Sequence, residues 1–127
     1  MQQALLFQAY GDIGNINECR FSLLKYFAVY NKPPSETAII IYTDQPNYFL
    51  PYTDFFSGIQ LRLIDAEQIK EWRGADNFVH RVKIKIMQDC FTTFKGSLLY
   101  CDTDTYILQP LTALFKNIAS GGAQIDY

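Results

Sequence analysis

The chain has 127 residues, of which 49% are hydrophobic and 19% charged, which fits one domain with a packed core and excludes wholesale disorder. Its net charge is −2 and its densest basic run is His80-Arg81-Val82-Lys83-Ile84-Lys85; nucleic-acid binding, which works by neutralising many phosphates, is not expected. No run of about 18 apolar residues is present, so no membrane-spanning helix is expected either.

Cys19, Cys90 and Cys101 are far apart and odd in number. They match no zinc spacing and no disulfide framework, so they read as reduced, buried thiols of a cytoplasmic protein. The start, Met1 to Phe7, lacks a basic segment and a long apolar run, and does not read as a signal peptide.

Ala4 to Tyr10 is an apolar run closed by Gly11-Asp12 and predicts a buried first strand. Asn15 to Tyr30 places Ile16, Cys19, Leu23, Tyr26, Phe27 and Tyr30 at helical spacing, with Asn15 or Asn17 as the expected cap. Asn31-Lys32-Pro33-Pro34 ends that helix. Thr37 to Thr43 is β-branched, continuous and apolar, as in a strand covered on both faces. Asn47 to Phe56 is aromatic-rich and predicts a short helix or irregular segment, interrupted at Pro51. Ile59 to Ile64 predicts a third strand, and Ala66 to Trp72 a helical turn. Phe78 to Phe94 predicts a long helix with Val79, Val82, Ile86 and Cys90 on one side, ended by a glycine cap at Lys95-Gly96. Ser97 to Cys101 is a fourth strand, and Leu111 to Ile118 a last short helix after Pro110.

Strands alternating with helices predict an α/β fold with a mainly parallel sheet flanked by helices. Ligands of such sheets bind beyond the carboxyl ends of the strands. Three of those ends carry suggestive residues: Tyr10-Gly11-Asp12, Thr43-Asp44 and Asp102-Thr103-Asp104. Residues two apart in an extended segment point the same way. Asp102 and Asp104 would therefore repel each other unless a cation sits near them. Mg²⁺ or Mn²⁺ suits such a pair, since these ions take oxygen ligands and share them with substrate phosphates. A solvated turn with capping aspartates is the plainer reading of the same residues.

The run Leu98-Leu99-Tyr100-Cys101-Asp102-Thr103-Asp104-Thr105-Tyr106-Ile107-Leu108, followed by Pro110-Leu111, resembles the LYLDTDxxxxxxL signature of the glycosyltransferase A fold. The nearest branch contains glycogenin and the bacterial lipopolysaccharide galactosyl- and glucosyltransferases. The basic helix at His80 to Lys85, the opening Ala9-Tyr10-Gly11-Asp12 and the helix at Phe21-Ser22-Leu23-Leu24 fit that pattern as well. The resemblance implies a Rossmann-like nucleotide-diphospho-sugar transferase fold and transfer of a sugar from a nucleotide-sugar, with UDP as the expected nucleotide. It implies Asp102 and Asp104 as ligands of Mn²⁺ or Mg²⁺ on the donor diphosphate, with Asp102 and Thr103 also touching the donor. It implies Ala9, Tyr10 and Gly11 around uracil and ribose, Asp44 on the base, and Arg81 or Lys83 on the phosphates or sugar. Ordinary surface charge is the competing reading of Arg81 and Lys83, and a turn-forming aspartate that of Asp44. His80, the sole histidine, reads as packed or capped locally, with a catalytic role as the alternative. Trp72 reads as a loop anchor, with a sugar platform as the alternative.

Members of this family are longer, add strands for the acceptor, and commonly complete the metal sphere with a later histidine. No histidine follows Asp104 here. The resemblance therefore implies a donor-binding domain over residues 1–127, truncated at its C-terminus. Its acceptor is an unassigned glycan, lipid-linked sugar or protein, and exposed apolar surface would favour a homo-oligomer. Two other functions remain open. One is a non-catalytic nucleotide-sugar-binding fragment. The other is a haloacid-dehalogenase-type phosphotransferase, which would use Asp102 as nucleophile and Asp104 as acid/base.

Overall fold

A computed structural model describes residues 3–29 and 37–101. Asp102, Thr103 and Asp104, the Pro33-Pro34 helix stop and the expected helix at Leu111 to Ile118 lie outside the described residues. The elements run β1 (Gln3–Ala9), α1 (Ile13–Val29), β2 (Thr37–Thr43), a 3₁₀ turn (Pro46–Phe49), α2 (Leu50–Phe55), β3 (Ile59–Leu63), α3 (Ala66–Arg73), α4 (Val79–Thr93) and β4 (Ser97–Cys101).

The four strands form one parallel sheet in the order β3-β2-β1-β4. The expected α/β fold is therefore the observed one. Alternation along each strand sorts the side chains into two cores. Leu5, Phe7, Ala9, Ile39, Ile41, Leu99 and Cys101 face α1, where they meet Ile16, Cys19, Leu23 and Tyr26. Ala4, Leu6, Ala38, Ile40, Tyr42 and Tyr100 face α3 and α4, where they meet Ile69, Val82, Ile86 and Cys90. Every residue of β2 is buried, which is why that strand reads as an unbroken apolar run.

The chain steps outward from β1 through β2 to β3, then returns to place β4 on the other side of β1. The connecting helices change face where the direction reverses, which keeps all crossovers of one hand. A point of reversal between β1 and β4 is where a crevice opens at the carboxyl ends of such a sheet.

Three local expectations need correction. Helix α1 begins at Ile13, and its capping residue is Asp12 rather than Asn15 or Asn17: Asp12 Oδ1 accepts from the Gly14 N–H at 2.9 Å. Pro51 does not interrupt its segment but sits in the first turn of α2, where its missing N–H has no helical partner to lose. Helix α4 stops at Phe94, whose extended backbone replaces the expected glycine cap at Lys95-Gly96. A glycine does cap α3, at Gly74 with φ 76°, a conformation that costs other residues more.

A polar network ties β2 and β3 to α4. Tyr42, 2% exposed, donates its hydroxyl hydrogen to Asp89. Arg62 donates to the Tyr42 oxygen at 3.0 Å and also to Thr93. Burial first, then the Asp89 hydrogen bond, pushes the Tyr42 hydroxyl well above its ordinary range. Among the described residues no helix is long and apolar enough to cross a membrane.

Gly58 precedes β3 at a point of close approach. A Cβ there would stand 2.5 Å from the Phe56 ring and 3.0 Å from the Thr37 carbonyl oxygen, while the Gly58 carbonyl already accepts from Ile39 N–H at 3.0 Å. Gly58→Ala should therefore lower unfolding free energy by about 1–3 kcal/mol, the usual range for overpacking. Urea denaturation checks this, and an unchanged midpoint contradicts the packing.

Burial raises the thiol pKa of both Cys19 and Cys90, and both are 0% exposed. The folded state thus holds these protons more tightly than the unfolded state does. Their contribution to stability is complete below the unfolded thiol pKa of about 8.5 and is lost as pH rises above it. The loss reaches about 1.4 kcal/mol per pH unit for Cys19. Denaturation midpoints at pH 7.5, 8.5 and 9.5 should fall in that order, and Cys19→Ala should flatten the slope.

Candidate functional site

The tips of β1 and β2 are level, because Ala9 pairs with Thr43. Just beyond them the two strands are clasped by side chains. The Gly11 N–H donates to both carboxylate oxygens of Asp44, at 3.3 and 3.2 Å. The side-chain amide of Gln45 donates to Gly11 O at 3.1 Å and to Asp44 at 3.3 Å, while its backbone N–H donates to Thr43 Oγ1 at 3.0 Å. Gly11 has φ 85°, and a Cβ on it would meet nothing within 4 Å. Its requirement is the backbone angle rather than space. Asp44 is thus a turn-forming residue, and its carboxylate keeps lone pairs beyond the two this N–H uses.

Asp44 therefore lies beside the consecutive residues Ala9, Tyr10 and Gly11. Ala9 is fully buried beneath the tip. Tyr10 is half-buried and packs with Trp72 against the core beneath α3 and α4. Burial raises the Tyr10 hydroxyl pKa, the Arg73 charge opposes that rise, and the Asp44 charge adds to it. The opposed effects place one positive and one negative group within electrostatic range of the same phenol. Trp72 lies in the last turn of α3 rather than in a loop, partly buried against the same core.

Arg73 is the residue that sequence reasoning missed. It ends α3, where a cation suits the helix dipole, and that role is all a linear reading assigns it. Its Nε is buried without a hydrogen-bond partner. A buried guanidinium nitrogen left in that state marks a place where an acceptor is wanted. Arg81 lies close by. Its Cδ and Nε stand 3.2 and 3.3 Å from the point a Cβ on Gly74 would occupy, so its stem crosses the corner between α3 and α4.

Arg81 and Lys83 are not brought together. Two residues apart on a helix is about 200° of rotation, and the side chains part accordingly. Arg81 turns to α3, whereas Lys83 sets its ammonium 4.5 Å from the Tyr100 ring centroid, over the strand that leads to Asp102. His80 is exposed, with its ring 5.4 Å from that of Phe78. Among the described residues no group of three or more His, Cys, Asp or Glu could hold a metal ion. Asp102, Thr103 and Asp104 lie beyond those residues, directly after β4.

This edge offers a clasped loop with a half-buried aromatic, a carboxylate beside it, and guanidinium and ammonium groups set back on two helices. That set can take a flat heterocycle, a hydroxylated ring and an anion together.

No family model matches the chain, and no curated protein matches it. Solved structures do. Over 94% of this chain, the fold superposes on S. aureus TarS with a TM-score of 0.59 and 16% identity, covering 20% of that chain. On TarS 1–349 in complex with UDP the TM-score is again 0.59, with 17% identity, 94% of this chain and 32% of that one covered. The chain therefore spans a third or less of the proteins it resembles, and at these identities the likeness is one of fold. What is shared is the parallel α/β sheet with its helices, in a protein that also occurs as a UDP complex.

Proposed function

We propose that this chain carries the donor-binding part of a metal-dependent glycosyltransferase that takes its sugar from a UDP-sugar. The observation that carries the reading is the gathering of Tyr10, Gly11, Asp44 and Arg73 at one sheet edge. The fold shared with TarS, known in complex with UDP, supports it. In this reading Ala9, Tyr10 and Gly11 hold uracil and ribose, and Asp44 contacts the base with its remaining lone pairs. Arg73 and Arg81 meet the diphosphate from the α3–α4 corner; an arginine there can bind bidentately. Lys83 approaches from the β4 side.

Asp102 and Asp104 would hold Mn²⁺ or Mg²⁺, with Thr103 and Asp102 near the donor ribose. The donor set fits the ion: two carboxylates one residue apart, at the end of a strand beside the central one, leave coordination positions for phosphate oxygens. The ion would supply Lewis acidity toward the nucleoside diphosphate as it departs with the bonding electrons of the anomeric C–O bond. The chain's own residues orient the donor and balance its charge with positioned cations, which is where electrostatic catalysis gains most. The acceptor is a glycan, a lipid-linked sugar or a protein.

Two outcomes are expected by calorimetry. Asp102→Asn and Asp104→Asn should each weaken Mn²⁺-dependent UDP binding by more than the ~100-fold typical of losing an outer-shell partner, with the thermal midpoint unchanged. Unaltered affinity in both variants would sink the metal assignment. Mn²⁺-dependent release of UDP from a UDP-sugar marks a transferase. Binding without release marks a donor-binding module, and phosphate release from a phosphomonoester with an aspartyl adduct marks a phosphotransferase.

Arg73→Ala should weaken UDP binding about tenfold, the loss of one hydrogen bond to a charged group. Arg73→Lys should recover part of it. Equal affinity of all three proteins contradicts the contact.

A further inference from the structure

Tyr48 stands on the same rim but on the opposite face of the sheet from the donor contacts. It belongs to the 3₁₀ turn that follows Asp44, and the residue is 40% exposed. Its backbone N–H donates to Gln45 O at 3.3 Å, and Gln45 is the residue whose amide holds Gly11. The next residue, Phe49, is fully buried in the core beneath α1, so the turn is anchored from below.

The ring is also fixed from one side. The Arg20 guanidinium carbon sits 5.7 Å from its centroid, and Arg20 Nη1 donates to Asn17 Oδ1 at 3.3 Å. A ring steadied in this way loses little freedom when something stacks on it. Asn47, next to it in the chain, is exposed, Asn17 is held beside it through Arg20, and Gln45 is half-exposed. Pyranose rings present a face of C–H bonds and a rim of hydroxyls. An aromatic surface answers the face, and planar amides, with donors and acceptors together, answer the rim.

We propose that Tyr48 is a stacking platform for a saccharide acceptor. The proposal rests on the glycosyltransferase reading for its setting. The two faces of the edge separate the partners, since Tyr10 packs with the core beneath α3 and α4 whereas the Tyr48 turn is anchored in the core beneath α1. Trp72, packed against the core, offers no comparable surface at this rim.

The test uses the full chain and three saccharides, maltotriose, lactose and N,N′-diacetylchitobiose, with binding read by saturation-transfer NMR and titration. At least one should bind wild type. Tyr48→Ala should weaken it about tenfold, while Tyr48→Phe should stay within about twofold. UDP affinity and the UDP-glucose to UDP affinity ratio should not change in either variant, which separates an acceptor contact from a donor-sugar contact. Binding of none of the three, equal binding by Tyr48→Ala, or a changed UDP-glucose ratio overturns the proposal. If a saccharide binds through Tyr48 while wild type fails to bind UDP, the platform stands and the donor reading falls.

Discussion

Strand β1 is hydrogen-bonded on both sides, to β2 through Gln3↔Thr37 to Ala9↔Thr43 and to β4 through Gln3↔Ser97 to Phe7↔Cys101. This double ladder is the constraint on which the rest depends. Side chains alternate between faces along a strand, so a one-residue slip would exchange the two cores. Leu5 and Phe7 belong under α1, and Ala4 and Leu6 under α4. Because both faces are buried, the register is held by every apolar residue of three strands at once.

Level strand ends follow from that register, and polar groups gather where the ladders stop. Backbone groups beyond the last pair need other partners. Gly11, Asp44 and Gln45 satisfy one another across the β1–β2 gap. The result is a short loop held by side chains rather than by sheet, next to the reversal point between β1 and β4. Tyr10 sits there, subject to the opposed charges of Arg73 and Asp44.

The edge has two sides with different chemistry. Toward α3 and α4 lie Tyr10, Arg73, Arg81 and Lys83, which suit an anionic ligand with a flat ring. Toward α1 lie Tyr48, Arg20 and Asn17, the setting of the proposed saccharide platform. A group-transfer reaction needs two such partners held apart and then aligned. The TarS likeness is one of fold, and the division of the edge is a property of this chain's own residues.

All four strands and the main helices were legible in the sequence because period and apolarity act locally. Thr37 to Thr43 could be read as doubly covered from its composition alone, and the structure buries all of it. The acidic run Asp102-Thr103-Asp104 stands out in the sequence because it is contiguous, and it lies outside the described residues. Caps were read less well. Several residue types can end a helix, and Asp12 and Phe94 took roles expected of neighbours because the chain's exit direction, set by packing, chose among them. Arg73 was silent in the sequence, since a basic residue in a last helical turn already has a sufficient local reason. Only the packing of α3 beside Tyr10 brings its charge to the strand tips. The divergence of Arg81 from Lys83 was computable from helical rotation, but which of them faces α3 depends on how α4 lies on the sheet. The sequence by itself thus determined the elements and their order along the chain. The tertiary structure decided which distant polar groups share one edge, because that is set by strand order and register rather than by separation along the chain.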